Sequence, residues 1–222
     1  MKNKPASLEH KHKYPPLPTL MELGLSATAL LEHGPQSSRL KRMGKFRFQL
    51  LADWIASTFE PCRVGDIGGG KGLLALLLTQ AKFEAVVVDP QHQELPLKYK
   101  DIHSSQRVQL SGKEQVKRRS TDFLPAHAED FDLLVGLHAH GSNINIIEGA
   151  ALHQKSFVLL PCCIVGEPAV PPPNLSWFTW LANHARLKGF EISYFALNFK
   201  GQNIGFYGVG RDGAKLHSKT IA

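Results

Sequence analysis

Residues 63–89 restrict the fold more than any other part of the chain. An apolar strand at 63–67 enters a glycine-crowded turn at 64–72, a leucine-rich helix at 72–81 follows, and a β-branched run at 85–88 ends in Asp89-Pro90. Strands of near-continuous apolar character alternating with helices imply a parallel sheet covered on both faces. The alternation continues downstream. Strands are predicted at 131–137 and 156–160 with a helix at 144–153 between them, then a helix at 177–188 and a closing hairpin from 191–198 and 203–209 that adds an antiparallel strand. Upstream, Leu50, Leu51, Trp54, Ile55 and Phe59 recur at helical spacing, the apolar face of a helix laid on that sheet. The fold class is α/β. One domain is expected over residues 41–212, with a basic, proline-containing tail over 1–40 that includes a short helix at 21–32, and a second tail over 213–222.

Charge and cysteine usage narrow the function classes. The chain has 26 lysines and arginines against 19 aspartates and glutamates, a formal net charge of +7, which favours an anionic partner such as RNA. The cations gather at Arg39, Lys41, Arg42, Lys45 and Arg47, and again over residues 91–119, which hold Lys98, Lys100, Arg107, Lys113, Lys117, Arg118 and Arg119 among few apolar residues. The latter stretch is either a solvated connector or a basic surface beside the ligand cleft. No apolar run approaches a membrane span, and the basic N-terminus lacks the apolar stretch of a signal peptide, so a cytoplasmic protein without a membrane partner is expected. Cys62, Cys162 and Cys163 make a poor disulfide framework, and no Cys/His spacing along the chain indicates a metal.

Three ligand classes compete for the glycine turn. A dinucleotide fingerprint fails, because counting from Gly68 and Gly70 the third glycine position is Leu73. A phosphate loop is met by Gly65, Gly70 and Lys71, but the hydroxyl that should ligate magnesium is replaced by Gly72. The pattern Asp-x-Gly-x-Gly-x-Gly is met in full by Asp66, Gly68, Gly70 and Gly72. It resembles the first motif of class I methyltransferases that use S-adenosyl-L-methionine (SAM). The resemblance implies a Rossmann-like SAM methyltransferase fold, with Asp66 near the methionine end and the glycines admitting it. It also implies that Asp89, at the end of the second strand, accepts the ribose hydroxyls. Ser120-Thr121-Asp122-Phe123 resembles the third-strand segment, which gives Asp122 to the adenine amino group.

Gly136-Leu137-His138-Ala139-His140-Gly141 and Leu160-Pro161-Cys162-Cys163 end the fourth and fifth predicted long strands. With the glycine motif they resemble, over roughly residues 45–165, the methyltransferase family that includes the eukaryotic tRNA acceptor-stem ribose 2′-O-methyltransferases. The chain departs from that family at three places. His140 stands where the family has cysteine, Asn145 where it commonly has aspartate, and no histidine follows the cysteine pair. His138 and His140 are the candidate catalytic groups, able to orient or deprotonate a hydroxyl or an amine. Gly141 would let substrate approach the backbone. Cys162 and Cys163 offer either cysteine addition to a pyrimidine or plain packing. Trp177 and Trp180 either stack bases or pack a helix face, and Lys200, Gln202 and Asn203 sit where a hairpin turn could reach the substrate mouth. The expected function is a SAM-dependent methyltransferase acting on RNA. A small-molecule or protein methyltransferase, or an inactive RNA-binding subunit of the same fold, remains open.

Overall fold

The computed structural model describes residues 17–25 and 44–218. In chain order the elements are α1 (Arg47–Thr58), β1 (Arg63–Ile67), α2 (Leu73–Gln80), β2 (Glu84–Val88), β3 (Lys98–Lys100), β4 (Arg107–Gln109), β5 (Lys117–Arg119), β6 (Leu133–Leu137), α3 (Asn143–Leu152), β7 (Ser156–Leu160), α4 (Trp177–Leu187), β8 (Ile192–Ala196) and β9 (Ile204–Gly208). Seven strands form one sheet in the order β5-β2-β1-β6-β7-β9-β8, and β3 and β4 pair separately as a small antiparallel ribbon. Pairing is parallel from β5 to β7 and antiparallel where β9 meets β7 and β8. This is the Rossmann-like sheet with a C-terminal antiparallel hairpin that the sequence predicts. Among the described residues no helix is long and apolar enough to cross a membrane.

The period-2 alternation of strand side chains divides the apolar residues between two cores. In β7, Val158 and Leu160 join α1 and α2 on one face, while Phe157 and Leu159 join α3 and α4 on the other. All five residues of β7 are buried, which is why the strand reads as a continuous apolar run. On the first face Trp54 of α1 stacks on Phe195 of β8, with ring centroids 3.8 Å apart and planes 9° from parallel. On the second, Phe206 of β9 meets Phe157 and Phe178 edge-to-face.

Three expectations change. The third strand of the sheet is Lys117–Arg119, so these cations are the strand and not a connector leading to it, and Asp122 lies in the loop beyond. The C-terminal boundary falls later than 212. Ala214 is buried, its amide donates to the Asp132 carbonyl, and Leu216 pairs across an antiparallel bridge with Phe59. Within the expected N-terminal tail, Leu17 and Leu23 pack on the second core, and residues 20–24 form a turn in place of a helix start. The rest of the 21–32 helix, and Arg39, Lys41 and Arg42, lie outside the described residues.

Truncation after Asp212 removes the Leu216 bridge and buried Ala214, so its melting temperature should fall by several degrees below that of a chain ending at Ser218. Each 1 kcal/mol lost lowers Tm by about 2–4 °C in a domain of this size. Equal melting of the two forms by circular dichroism would show that residues 213–217 add nothing to the fold.

Candidate active site

The strand order reverses between β1 and β6, and open α/β sheets take ligands outside the carboxyl ends of the strands at such a point. A cleft lies there in two adjoining parts, with cavity volumes of about 730 and 500 Å³. Gly68, Gly70, Gln93, His138 and His140 line both parts; Asp66 and Gly72 line the larger, Asp89 and Asp122 the smaller. The structure therefore brings together all the cofactor and catalytic candidates that the sequence singles out.

Asp66 sits in β1 beside Val135 of β6 and is 1% exposed. Its carboxylate accepts the backbone amide of Ala75 in the first turn of α2, where Gly72, the N-cap, has no side chain to do so. The other oxygen, Oδ2, has no hydrogen-bond partner and lies beneath Gly69, where a Cβ would stand 2.4 Å from it. Burial pushes the Asp66 carboxyl up to about 7, against the Ala75 amide and the nearby Arg118 charge, which both lower it. Arg118 reaches under the turn from β5, and its Nη2 is also buried without a partner. Gly70 takes φ +52 and opens into both halves of the cleft, a conformation glycine adopts without strain. A Cβ on Gly72 would lie 2.9 Å from Val116, 3.0 Å from Arg118 and 3.0 Å from Val87, so there the protein itself requires the glycine.

Asp89 fastens the turn from the next strand. Its Oδ2 accepts the Gly70 amide at 2.9 Å and its Oδ1 the Gln91 amide at 2.8 Å. Each oxygen keeps a second lone pair, so the carboxylate can bind a diol as well as cap the turn. Asp122 is exposed on the far wall of the smaller cavity. The Asn145 amide holds that wall to α3 by donating to the Phe123 carbonyl at 3.1 Å.

His138 follows β6 at φ +55, a left-handed conformation that costs a non-glycine residue about 1–2 kcal/mol. Its amide donates to the Leu160 carbonyl, and its Nε2 lies 3.1 Å from the Gln202 carbonyl. A carbonyl only accepts, so Nε2 carries the proton and Nδ1 is left as the ring's acceptor. Burial lowers the His138 pKa, keeping the imidazole neutral at pH 7. The expected reach of the hairpin turn is thus made by the Gln202 backbone. His140 is exposed, and its Nε2 lies 2.9 Å from Cys162 Sγ. Burial, then the Cys163 hydrogen bond and charge, push the Cys162 thiol up to about 12, which does not suit a nucleophile.

Sequence reasoning misses several supporting groups. Glu167 accepts the amides of Asn143 and Ile144, capping α3 directly after the His138–His140 loop. Gly141, which lines the smaller cavity, is required by the protein's own packing, because at φ +72 a Cβ there would lie 3.0 Å from the Gly166 carbonyl. Gln49, buried in α1, accepts the Ile102 amide at 2.8 Å and donates to Asp101, and His103 meets Asp53 at 3.0 Å. These contacts fix the β3–β4 ribbon to α1. The ribbon's Lys98 and Lys100, with Lys45 and Arg47, line the larger cavity. Arg119 instead turns to the opposite face of the sheet, pairing with Asp130 and lying over Phe131. Trp177 stacks on Trp180 along α4, the helix-packing alternative.

No model of a known protein family matches the chain, and no curated protein matches it. Solved structures with a similar course of chain include TehB from Haemophilus influenzae (TM-score 0.40, 13% identity over 68% of this chain and 58% of that one). An O-methyltransferase family protein from Burkholderia thailandensis gives 0.42 and 15% over 73% and 55%, and monomeric WbdD gives 0.36 and 15% over 68% and 36%. The chain thus spans between about a third and six-tenths of these proteins' lengths.

The raised Asp66 carboxyl has a stability signature. Between its unfolded value near 4 and its folded value of about 7, the native state holds a proton that the unfolded chain has lost, so stability falls as pH rises through that window. The penalty is on the order of 4 kcal/mol once Asp66 is fully ionised. Asp66→Asn removes it, so the variant should gain on the wild type from pH 4 to 7 in urea midpoints. Parallel pH profiles would refute the assignment.

Proposed function

We propose that the chain is a SAM-dependent methyltransferase. The observation that carries this reading is the glycine turn at the switch point, fastened to Asp89 and floored by the buried, half-partnered Asp66. The unpartnered Oδ2 of Asp66 suits the ammonium of an amino acid moiety, the open side of Gly70 admits backbone-close ligand atoms, and Asp89 suits a ribose diol. A phosphate loop fits less well, since the position that should carry the magnesium hydroxyl is a buried glycine packed under three side chains. SAM supplies an electrophilic methyl group on sulfur. The chain's own residues then need only hold the acceptor in line and take its proton. In this reading His138 takes that proton, supported by the Gln202 carbonyl at its Nε2, which leaves Nδ1 as the ring's acceptor.

RNA is the substrate class favoured here. Lys45, Arg47, Lys98 and Lys100 rim the larger half of the cleft, and Arg107 continues the rim on the ribbon. Phosphates suit such a rim.

Calorimetry with SAM or its demethylated product should show one site, weakened roughly tenfold or more by Asp89→Ala, which removes a charged hydrogen-bond partner. Tight ATP binding without SAM binding would overturn the reading. RNA affinity should fall with salt by about 0.7–0.9 log units per phosphate contact for each log unit of salt. Reversing the charge of Lys45, Lys98 and Lys100 should flatten that slope. Salt-independent or undetectable RNA binding would move the substrate to a small molecule.

A further inference from the structure

The parallel pairing of β6 with β7 sets Leu137 opposite Leu160, so residues just beyond the two strands emerge side by side. His140 follows one strand and Cys162 and Cys163 the other. One ligand atom from each lies within 4.8 Å of the other two, the one such group of three metal-ligating side chains among the described residues. The two sulfurs are 3.7 Å apart, and all three cysteines are free thiols. Two thiolates on one tetrahedral zinc, each about 2.3 Å from it, stand about 3.8 Å apart, so the sulfurs already have the spacing of a tetrahedron's edge. His140 Nε2, 2.9 Å from Cys162, is closer than the roughly 3.6 Å of that geometry, and an exposed side chain has room to withdraw.

We propose that His140, Cys162 and Cys163 form a binding site for a soft divalent cation, zinc by its donor set, at the edge of the cleft. Two sulfurs and an imidazole select zinc over magnesium or calcium, which take oxygen ligands. The ion itself deprotonates the thiols it binds. Three protein ligands leave the fourth position of a tetrahedron for water or a substrate donor atom, the arrangement of catalytic and not structural zinc. His140 lines both halves of the cleft, as does His138, so the ion would stand at the wall of the cleft near that ring. As a ligand, His140 gives up any role as base, leaving that role to His138.

The test uses the full chain, purified under reducing conditions, stripped with chelator and titrated with cobalt(II), which reports thiolate ligation as a sulfur-to-metal absorption band, and with zinc against a chromophoric chelator. One equivalent should bind, with the thiolate band for cobalt and a rise in melting temperature for zinc. His140→Ala, at an exposed position where folding is least disturbed, should weaken zinc by more than the roughly tenfold that loss of even an outer hydrogen-bond partner costs. Cys162→Ser with Cys163→Ser should abolish the band, and Cys62→Ser should leave it intact. A cobalt spectrum like that of the hydrated ion, or unchanged zinc affinity in the double serine variant, would overturn the proposal. SAM binding is measured separately on the same samples, so failure of one reading does not carry the other with it.

Discussion

The parallel register of β1, β6 and β7 is the constraint on which the site depends. Val64 lies beside Leu133 and Asp66 beside Val135, while Leu133 lies beside Ser156 and Leu137 beside Leu160. Three strands running the same way thus end at nearly the same level. Their connections leave together, so the glycine turn, the His138 loop and the cysteine pair become neighbours although nearly a hundred residues separate the first from the last. A slip of one residue in the β1–β6 pairing would exchange the faces of β1 and carry Asp66 out of its place beneath the turn. The two apolar cores hold the register, because each central strand is buried on both sides.

The glycine turn answers to two demands. Gly70 faces the cleft in a conformation glycine holds without strain, as a ligand-side position should. Gly72 is shaped from within, crowded by Val87, Val116 and Arg118. Asp66 likewise serves the fold, through the amide of α2, before it serves any ligand. The motif is therefore partly a packing signature of a strand, a turn and a helix brought close together. In the proposed reading its functional content lies in the atoms the packing leaves over: Oδ2 of Asp66, the second lone pairs of Asp89 and the open side of Gly70.

Most of the sheet was legible because its strands and helices differ in period and are punctuated by glycine and proline. Strand β7 and the hairpin strands β8 and β9 fall where their apolar runs indicate. β5 was not legible, since Lys117-Arg118-Arg119 carries no apolar signal: it is an edge strand held by backbone pairing to β2, with Arg118 and Arg119 divided between opposite faces. Residues 213–217 read as a tail because what fixes them is mainly backbone hydrogen bonds and two isolated side-chain contacts, Leu216 on the first core and the His217 ring at the Ala56 carbonyl, which make no periodic pattern. Asp66, Asp89 and both histidines were legible as strand-end residues, whereas the segment that pointed to Asp122 proves to be the loop beyond β5. Glu167 and Gln49 were not, because each acts on backbone amides of a segment that only the fold brings near.

The same limit explains the cysteine pair. Metal signatures in sequence depend on short spacings within one loop, whereas His140 and Cys162 are separated by a helix and a strand. Only the neighbouring positions of β6 and β7 make them adjacent. Adjacency of this kind has a mechanistic consequence for the two histidines, which sit two residues apart and look equivalent in the sequence. The strained backbone at His138 turns its ring to the Gln202 carbonyl, on the hairpin side of the cleft. His140, outside the left-handed region, meets the sulfur of Cys162. One ring is neutral, fixed and free at Nδ1. The other is committed to a soft partner. The difference between them is set by which neighbouring segment each one meets.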